Sequence, residues 1–211
     1  MLRKAVKMSI AISMVTTLCL GGGTHAQTNA ADGIWRESYT LEAAGKYAPA
    51  SSVLDAVQTS SPDYDFVLMR RGWLNYLQGR HNDAIRDYNL ALAANSKSVE
   101  ALLGITLPLM AQQRWREAAM AAKKVLAVSP WDYTAHVRLM VCEEGEKKWP
   151  DLAQHASEFS ARFPSDATAL VYLARAEAWL GNVKRAQAAY ARVLARLPTH
   201  VEAQTYLKNN P

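Results

Sequence analysis

The residues able to do acid–base, nucleophilic or metal chemistry are few, and their spacing is wrong for it. His81, His136, His155 and His200 show none of the His-Glu-x-x-His spacing that sets two imidazoles on one helix face as zinc ligands. The chain has no Gly-x-Ser-x-Gly elbow, no glycine-rich phosphate loop and no paired-cysteine motif. Only two cysteines occur, Cys19 and Cys142. Cys142 falls within a helical pattern and reads as a small buried hydrophobe rather than a reactive or intermolecular thiol. The run Glu143-Glu144-Gly145-Glu146-Lys147-Lys148 reads as a solvated helix tip. No catalytic residue, metal ligand or cofactor site is assigned, and the chain is read as not an enzyme. The one enzymatic alternative is a site near His136, Cys142 and His155.

Composition narrows the partners. The chain has 211 residues, 50% hydrophobic and 20% charged, enough for one folded unit with a continuous core. Its net charge of +5 overstates its basicity. Arg3, Lys4 and Lys7 are three of the 24 basic residues, so the chain beyond residue 26 carries 21 basic and 19 acidic ones. Such a balance, without a clustered basic face, gives no footprint for nucleic acid.

Those three basic residues open a targeting pattern. The apolar stretch Ser9 to Leu20 follows, then Gly21-Gly22-Gly23-Thr24-His25-Ala26-Gln27. This order predicts a secretory signal peptide over 1–26, cut after Ala26, with a short linker over 27–30. The apolar stretch is shorter than the roughly 20 residues of a spanning helix. No membrane span is therefore expected after cleavage; the alternative is an uncleaved N-terminal anchor. Leu18 before Cys19 is too bulky for lipoprotein processing at that cysteine.

Beyond the leader the chain repeats every 34 residues. Pro62, Pro130, Pro164 and Pro198 keep this period, with Ser96 in the empty slot. Ala50, Ala84, Ala118 and Ala186 keep it too, with Leu152 in the fourth place, as do Gly45, Gly79 and Gly181. A repeat of this length means stacked supersecondary units rather than a closed globule. Five units follow, 31–64, 65–98, 99–132, 133–166 and 167–200. Apolar residues spaced by three and four make each unit two antiparallel helices. Glycine ends the first helix and proline stops the second. Pro49 and Pro150 fall in first turns, where the missing N–H costs little. Pro108 lies well inside a helix, either as a deliberate bend or as a local kink tolerated with help from Gly104. Val201 to Lys208 reads as a capping helix, ahead of a tail to 211.

These positions make the chain similar to tetratricopeptide repeat proteins, which show a large apolar residue at repeat position 4, Leu-Gly at 7 and 8, Tyr at 11, Ala at 20, an aromatic at 24 and Pro at 32. The fifth unit carries Leu170, Leu173, Ala174, Ala186, Tyr190 and Pro198; the second carries Leu68, Gly72, Ala84 and Tyr88. The third carries Leu102, Ala118, Leu126 and Pro130, and the first Ile34, Gly45, Ala50, Leu54 and Pro62. The fourth departs most, with His136 at the large apolar position and Leu152 at the alanine position.

The resemblance implies an all-α solenoid of five repeats in a right-handed superhelix. It also implies that the first helix of each repeat lines a concave inner surface, at positions 2, 5, 9, 12 and 13. On this chain those positions give Trp35, Tyr39 and Glu42, then Phe66, Met69, Trp73, Tyr76 and Leu77, then Leu103, Leu107 and Met110. The later units contribute Val137, Val141, Glu144, Val171, Arg175 and Trp179. The candidate binding face is Trp35, Tyr39, Phe66, Met69, Trp73, Tyr76, Leu103, Leu107 and Met110. Aromatic residues of this kind are favoured interface anchors, although Trp35, Trp73 and Tyr76 fit a packed core equally well. The Lys and Asn of the family's carboxylate clamp are absent. The implied function is an exported, non-catalytic scaffold, periplasmic in a Gram-negative source, that binds a protein or peptide segment. The alternative is a self-associating structural subunit, a homo-oligomer in which the groove receives another copy.

Overall fold

The computed structural model describes residues 23–211. The leader through Leu20 lies outside them. Helix α1 spans Gly23–Ala43, so residues 27–30, read above as a linker, are part of it, as is Ala26 at the expected cut. The pairs that follow are α2 (Tyr47–Ser52, extended by a 3-10 turn over Val53–Ala56), α3 (Tyr64–Leu77) with α4 (His81–Ala94), α5 (Val99–Ala111) with α6 (Trp115–Val128), α7 (Tyr133–Gly145) with α8 (Trp149–Arg162), and α9 (Ala167–Trp179) with α10 (Val183–Leu194); α11 (Val201–Asn209) closes the chain. The described residues form helices without strands, stacked as a helical solenoid. Among them no helix is long and apolar enough to cross a membrane.

The stack turns on a backbone device with the full period. Gly45, Gly79 and Gly181 adopt φ of 72°, 72° and 76°, the left-handed conformation that ends a helix. Gln113 and Lys147 occupy the two intervening turns at φ 57° each. The turn therefore recurs in all five pairs, although only three carry the glycine that reveals it. A second periodic feature starts the first helices. Ser98, Asp132, Asp166 and His200, each 34 residues from the next, accept hydrogen bonds through their side chains from Ala101, Ala135, Ala169 and Ala203 N–H. They satisfy donors that a helix N-terminus leaves free.

Packing follows the repeat. Ala50, Ala84, Ala118, Leu152 and Ala186 are all fully buried. Helices α6, α8 and α10 gather their apolar residues on one face, whereas α5 is apolar nearly all round. A helix packed on one side needs only a stripe; one held between neighbours needs more. Tyr88 of α4 lies between α3 and α5, and glycine makes the room. A Cβ at Gly72 would stand 2.9 Å from its ring, and one at Gly104 only 2.2 Å. Gly104 thus admits Tyr88 by close approach, a role distinct from easing strain at Pro108. Pro108 itself is buried inside a continuous α5.

The fourth pair departs from its neighbours. Its helices α7 and α8 make fewer close approaches than any other full-length pair. Fully buried Leu152 stands where the other pairs carry alanine, and it packs with Met140, Ala156 and Phe159. A branched side chain at a crossing point holds two backbones apart.

Candidate functional site

The first helices touch one another along the stack, α3 with α5, α5 with α7 and α7 with α9, more than the second helices do. That places them on the inside of the curve. Helices α1 and α3, with the start of α5, enclose an open cavity of about 720 Å³ lined by Tyr39, Glu42, Ala43, Tyr47, Phe66, Met69, Arg70, Trp73, Leu77 and Glu100. Tyr39 and Phe66 are exposed, at 50% and 39% of their surface. Such large apolar side chains on a concave wall are the material of an interface.

A polar network underlies this wall. Arg70 of α3 pairs through Nη1 with Glu42 of α1, and its side chain is only 5% exposed. Its Nε donates to Ser38 Oγ at 3.3 Å, and Ser38 donates in turn to the Ala50 carbonyl at 2.8 Å. The Trp73 indole N–H donates to Glu42 at 2.6 Å. The Tyr39 ring closes over the guanidinium, 3.7 Å from centroid to carbon, a cation–π arrangement. Arg70 Nη2 is left buried without a hydrogen-bond partner. Helices α1 and α3 are thus tied by an ion pair between a buried arginine and a half-buried glutamate, and the arginine's remaining donor belongs to a cavity-lining residue.

The nine candidate residues separate into groups. Tyr39, Phe66, Met69 and Trp73 come together on the cavity wall. Trp35 stands behind them, edge-on to Phe66 with centroids 5.0 Å apart, packed against a core of Ala50, Leu54, Val67 and Leu74. Tyr76 lies against Trp73 at 5.7 Å and His81 at 5.8 Å. Leu103, Leu107 and Met110 are half-buried and do not line the cavity. Leu103 and Met110 pack against the core around Leu68, Leu102 and Ile105, the consequence of an α5 that is apolar on nearly every side. Arg138 of α7 also closes this stretch by donating to the Leu103 carbonyl and to Thr106 Oγ1. The apolar residues that line the cavity therefore all belong to the first two units.

Further along, the inner face is occupied by its own ion pairs. Arg175 holds Glu202 of α11 through two hydrogen bonds of 2.8 and 2.7 Å and reaches Glu144 at 3.3 Å. The Arg175 hydrogen bond keeps Glu202 below the usual carboxylate range against the opposing effect of burial. Trp179 is 69% exposed and stacks on Trp149, with centroids 5.1 Å apart and planes 4° from parallel. Trp149, the first residue of α8, thus touches an inner-face residue.

The histidines form a chain of hydrogen bonds. His136 Nε2 lies 3.0 Å from the Pro130 carbonyl, and His136 Nδ1 lies 2.8 Å from His155 Nε2. His155 Nδ1 faces Glu143 Oε2 at 2.8 Å. A carbonyl only accepts, so His136 carries its hydrogen on Nε2. Burial pulls the His136 pKa below its ordinary value. The chain ends on a main-chain carbonyl, and His136 is buried against Phe159 at 4.6 Å. That geometry ties α7 to α8. Cys142 is fully buried, and burial pushes its thiol up to about 12, which leaves almost no thiolate at neutral pH. Among the described residues, no three His, Cys, Asp or Glu side chains are grouped to hold a metal ion.

Ala43, Tyr47, Arg70 and Glu100 complete the cavity beyond the residues named from the sequence, and Tyr47 and Arg70 fall outside the repeat's inner-face positions. Arg70 left a signal: with Val67 and Leu74 it lies on the buried side of α3, and a buried arginine needs an acid.

Fold and site together define a helical-repeat protein with a recessed aromatic surface. The family model described as Tetratricopeptide repeat matches residues 168–200. No curated protein matches the chain. Several solved structures share the fold. A tetratricopeptide repeat protein from Parabacteroides merdae superposes with a TM-score of 0.77 at 15% identity, over 86% of this chain and 72% of that one. MamA from Desulfovibrio magneticus RS-1 gives 0.73 at 15% identity, over 81% and 97%. YrrB, described as a TPR protein with an unusual peptide-binding site, gives 0.72 at 14% identity, over 87% and 98%. The fold is that of a tetratricopeptide repeat solenoid.

Proposed function

We propose that this chain is an exported, non-catalytic scaffold that binds a segment of a partner protein on the inner face of its first two repeats. The observation that carries this reading is the open cavity between α1 and α3, walled by exposed Tyr39 and Phe66 and by Trp73. Aromatic groups lining a recess supply large contact area, which is why they are favoured as interface anchors. The peptide-binding site described for YrrB, a protein of the same fold, supports the class of ligand. Export rests on the basic, apolar and small-residue order of residues 1–26.

Photo-crosslinking from position 66, compared with position 90 on the second-helix side, tests the recognition surface. A partner captured from position 66 and not from position 90 supports the proposal; capture from position 90 alone moves recognition to the opposite face. Intact mass of the protein recovered from its envelope tests export. A species beginning at Gln27 is expected, whereas one beginning at Met1 and held in the membrane would contradict cleavage.

A further inference from the structure

We infer that the cavity between α1 and α3 takes a partner segment in which an apolar side chain stands beside a lysine or arginine. The inference rests on the binding role proposed above and names the chemistry of the ligand. Of the three charged residues lining the cavity, partly exposed Glu42 and buried Arg70 neutralise each other as an ion pair. Glu100 is exposed; among the described residues its carboxylate accepts from the Ser98 hydroxyl at 3.4 Å and forms no ion pair. The cavity therefore carries one uncompensated negative charge at its α5 rim, over walls of Tyr39, Phe66, Met69 and Trp73.

Arg70 supplies the other half of the recognition. Its Nη2 is a buried donor without an acceptor, and such a donor is costly until filled. In the proposed bound state, an apolar side chain entering the cavity displaces half-exposed Tyr39 from over the guanidinium and uncovers Nη2. The acceptor then brought to Nη2 is neutral, a main-chain carbonyl of the segment. A carboxylate would add a third anion to a cavity that already holds Glu42 and Glu100 and a single guanidinium, itself paired. Charge count thus selects a cationic flank and a carbonyl, and rejects an acidic segment.

The test uses short acetylated and amidated peptides with a central phenylalanine, flanked either by lysine or by glutamate, with binding read by fluorescence anisotropy. The lysine peptides are expected to bind about tenfold more tightly than the glutamate peptides, since complementary charge is exchanged for like charge. Glu100→Gln, at an exposed position, should remove most of that difference while leaving the glutamate peptides bound no more weakly. Trp73→Ala should weaken both sets. Equal binding of both sets, a preference for glutamate, or full discrimination in Glu100→Gln would each overturn the inference. If both sets bind equally and Trp73→Ala weakens them, the cavity remains the recognition surface and only the charge selection falls. If Trp73→Ala changes neither, the binding role falls with it.

Discussion

His136 shows how a single position reports on the fold. It occupies a site that the other repeats fill with apolar residues, and it is retained there by the Pro130 carbonyl and His155. Because burial lowers its pKa, the folded protein resists protonating it while the unfolded chain does not. Below the ordinary histidine value of about 6.5 the unfolded state binds more protons, so stability is full above that value and is lost as pH falls through it. The melting temperature of the wild type should decline on acidification from about pH 7.5 to 5.5. His136→Gln, which keeps a donor and an acceptor without titrating, should flatten that decline. An unchanged acid limb in the variant would show that His136 does not contribute it. The cavity residues were less legible. Tyr39, Phe66, Met69 and Trp73 were named because they fall at inner-face positions of a repeat. Arg70 was missed because its acid, Glu42, lies on another helix, and the pairing appears only when the two helices are stacked.

Element boundaries were readable where residue type and backbone geometry coincide, at Gly45, Gly79 and Gly181. They were hidden at Gln113 and Lys147, which adopt the same left-handed turn without glycine. The left-handed conformation costs a non-glycine residue roughly 1–2 kcal/mol. Glycine gives back roughly 0.5–1 kcal/mol through its freer unfolded state. Gln113→Gly and Lys147→Gly should therefore each stabilise the protein by about 0.5–1 kcal/mol in denaturant titrations. A loss of stability in both would mean that these side chains make contacts worth more than the backbone strain. The crossing point behaves oppositely. Ala84 and Ala186 are fully buried between paired helices, so Ala84→Leu and Ala186→Leu should each destabilise by about 1–3 kcal/mol through overpacking. Leu152 shows the accommodation possible when a whole pair has evolved around the larger side chain, since α7 and α8 stand further apart. Wild-type melting of both alanine variants would refute the assigned repeat register.

At the scale of the molecule, the 34-residue period was sufficient for the architecture because each repeat buries its apolar face on the next. The extent of the open surface was not, because the stripe of inner-face positions continues through every unit. What interrupts it is long-range: Arg138 reaching from α7 to α5, and Arg175 joining Glu144 to Glu202 of the last helix. The proposed recognition surface is therefore the N-terminal recess, where the corresponding bridge, Arg70 with Glu42, lines an open cavity instead of closing it. The affinity of a partner captured by crosslinking, measured for wild type, Trp73→Ala and Leu90→Ala at matched helical content, tests this most directly. Leu90 serves as the control because it is exposed on α4, on the second-helix side. Trp73→Ala is expected to weaken binding by about 2 kcal/mol or more, as truncation of an interface anchor does, with Leu90→Ala unchanged. Equal affinity for wild type and Trp73→Ala would contradict the assignment of the α1–α3 cavity as the recognition surface.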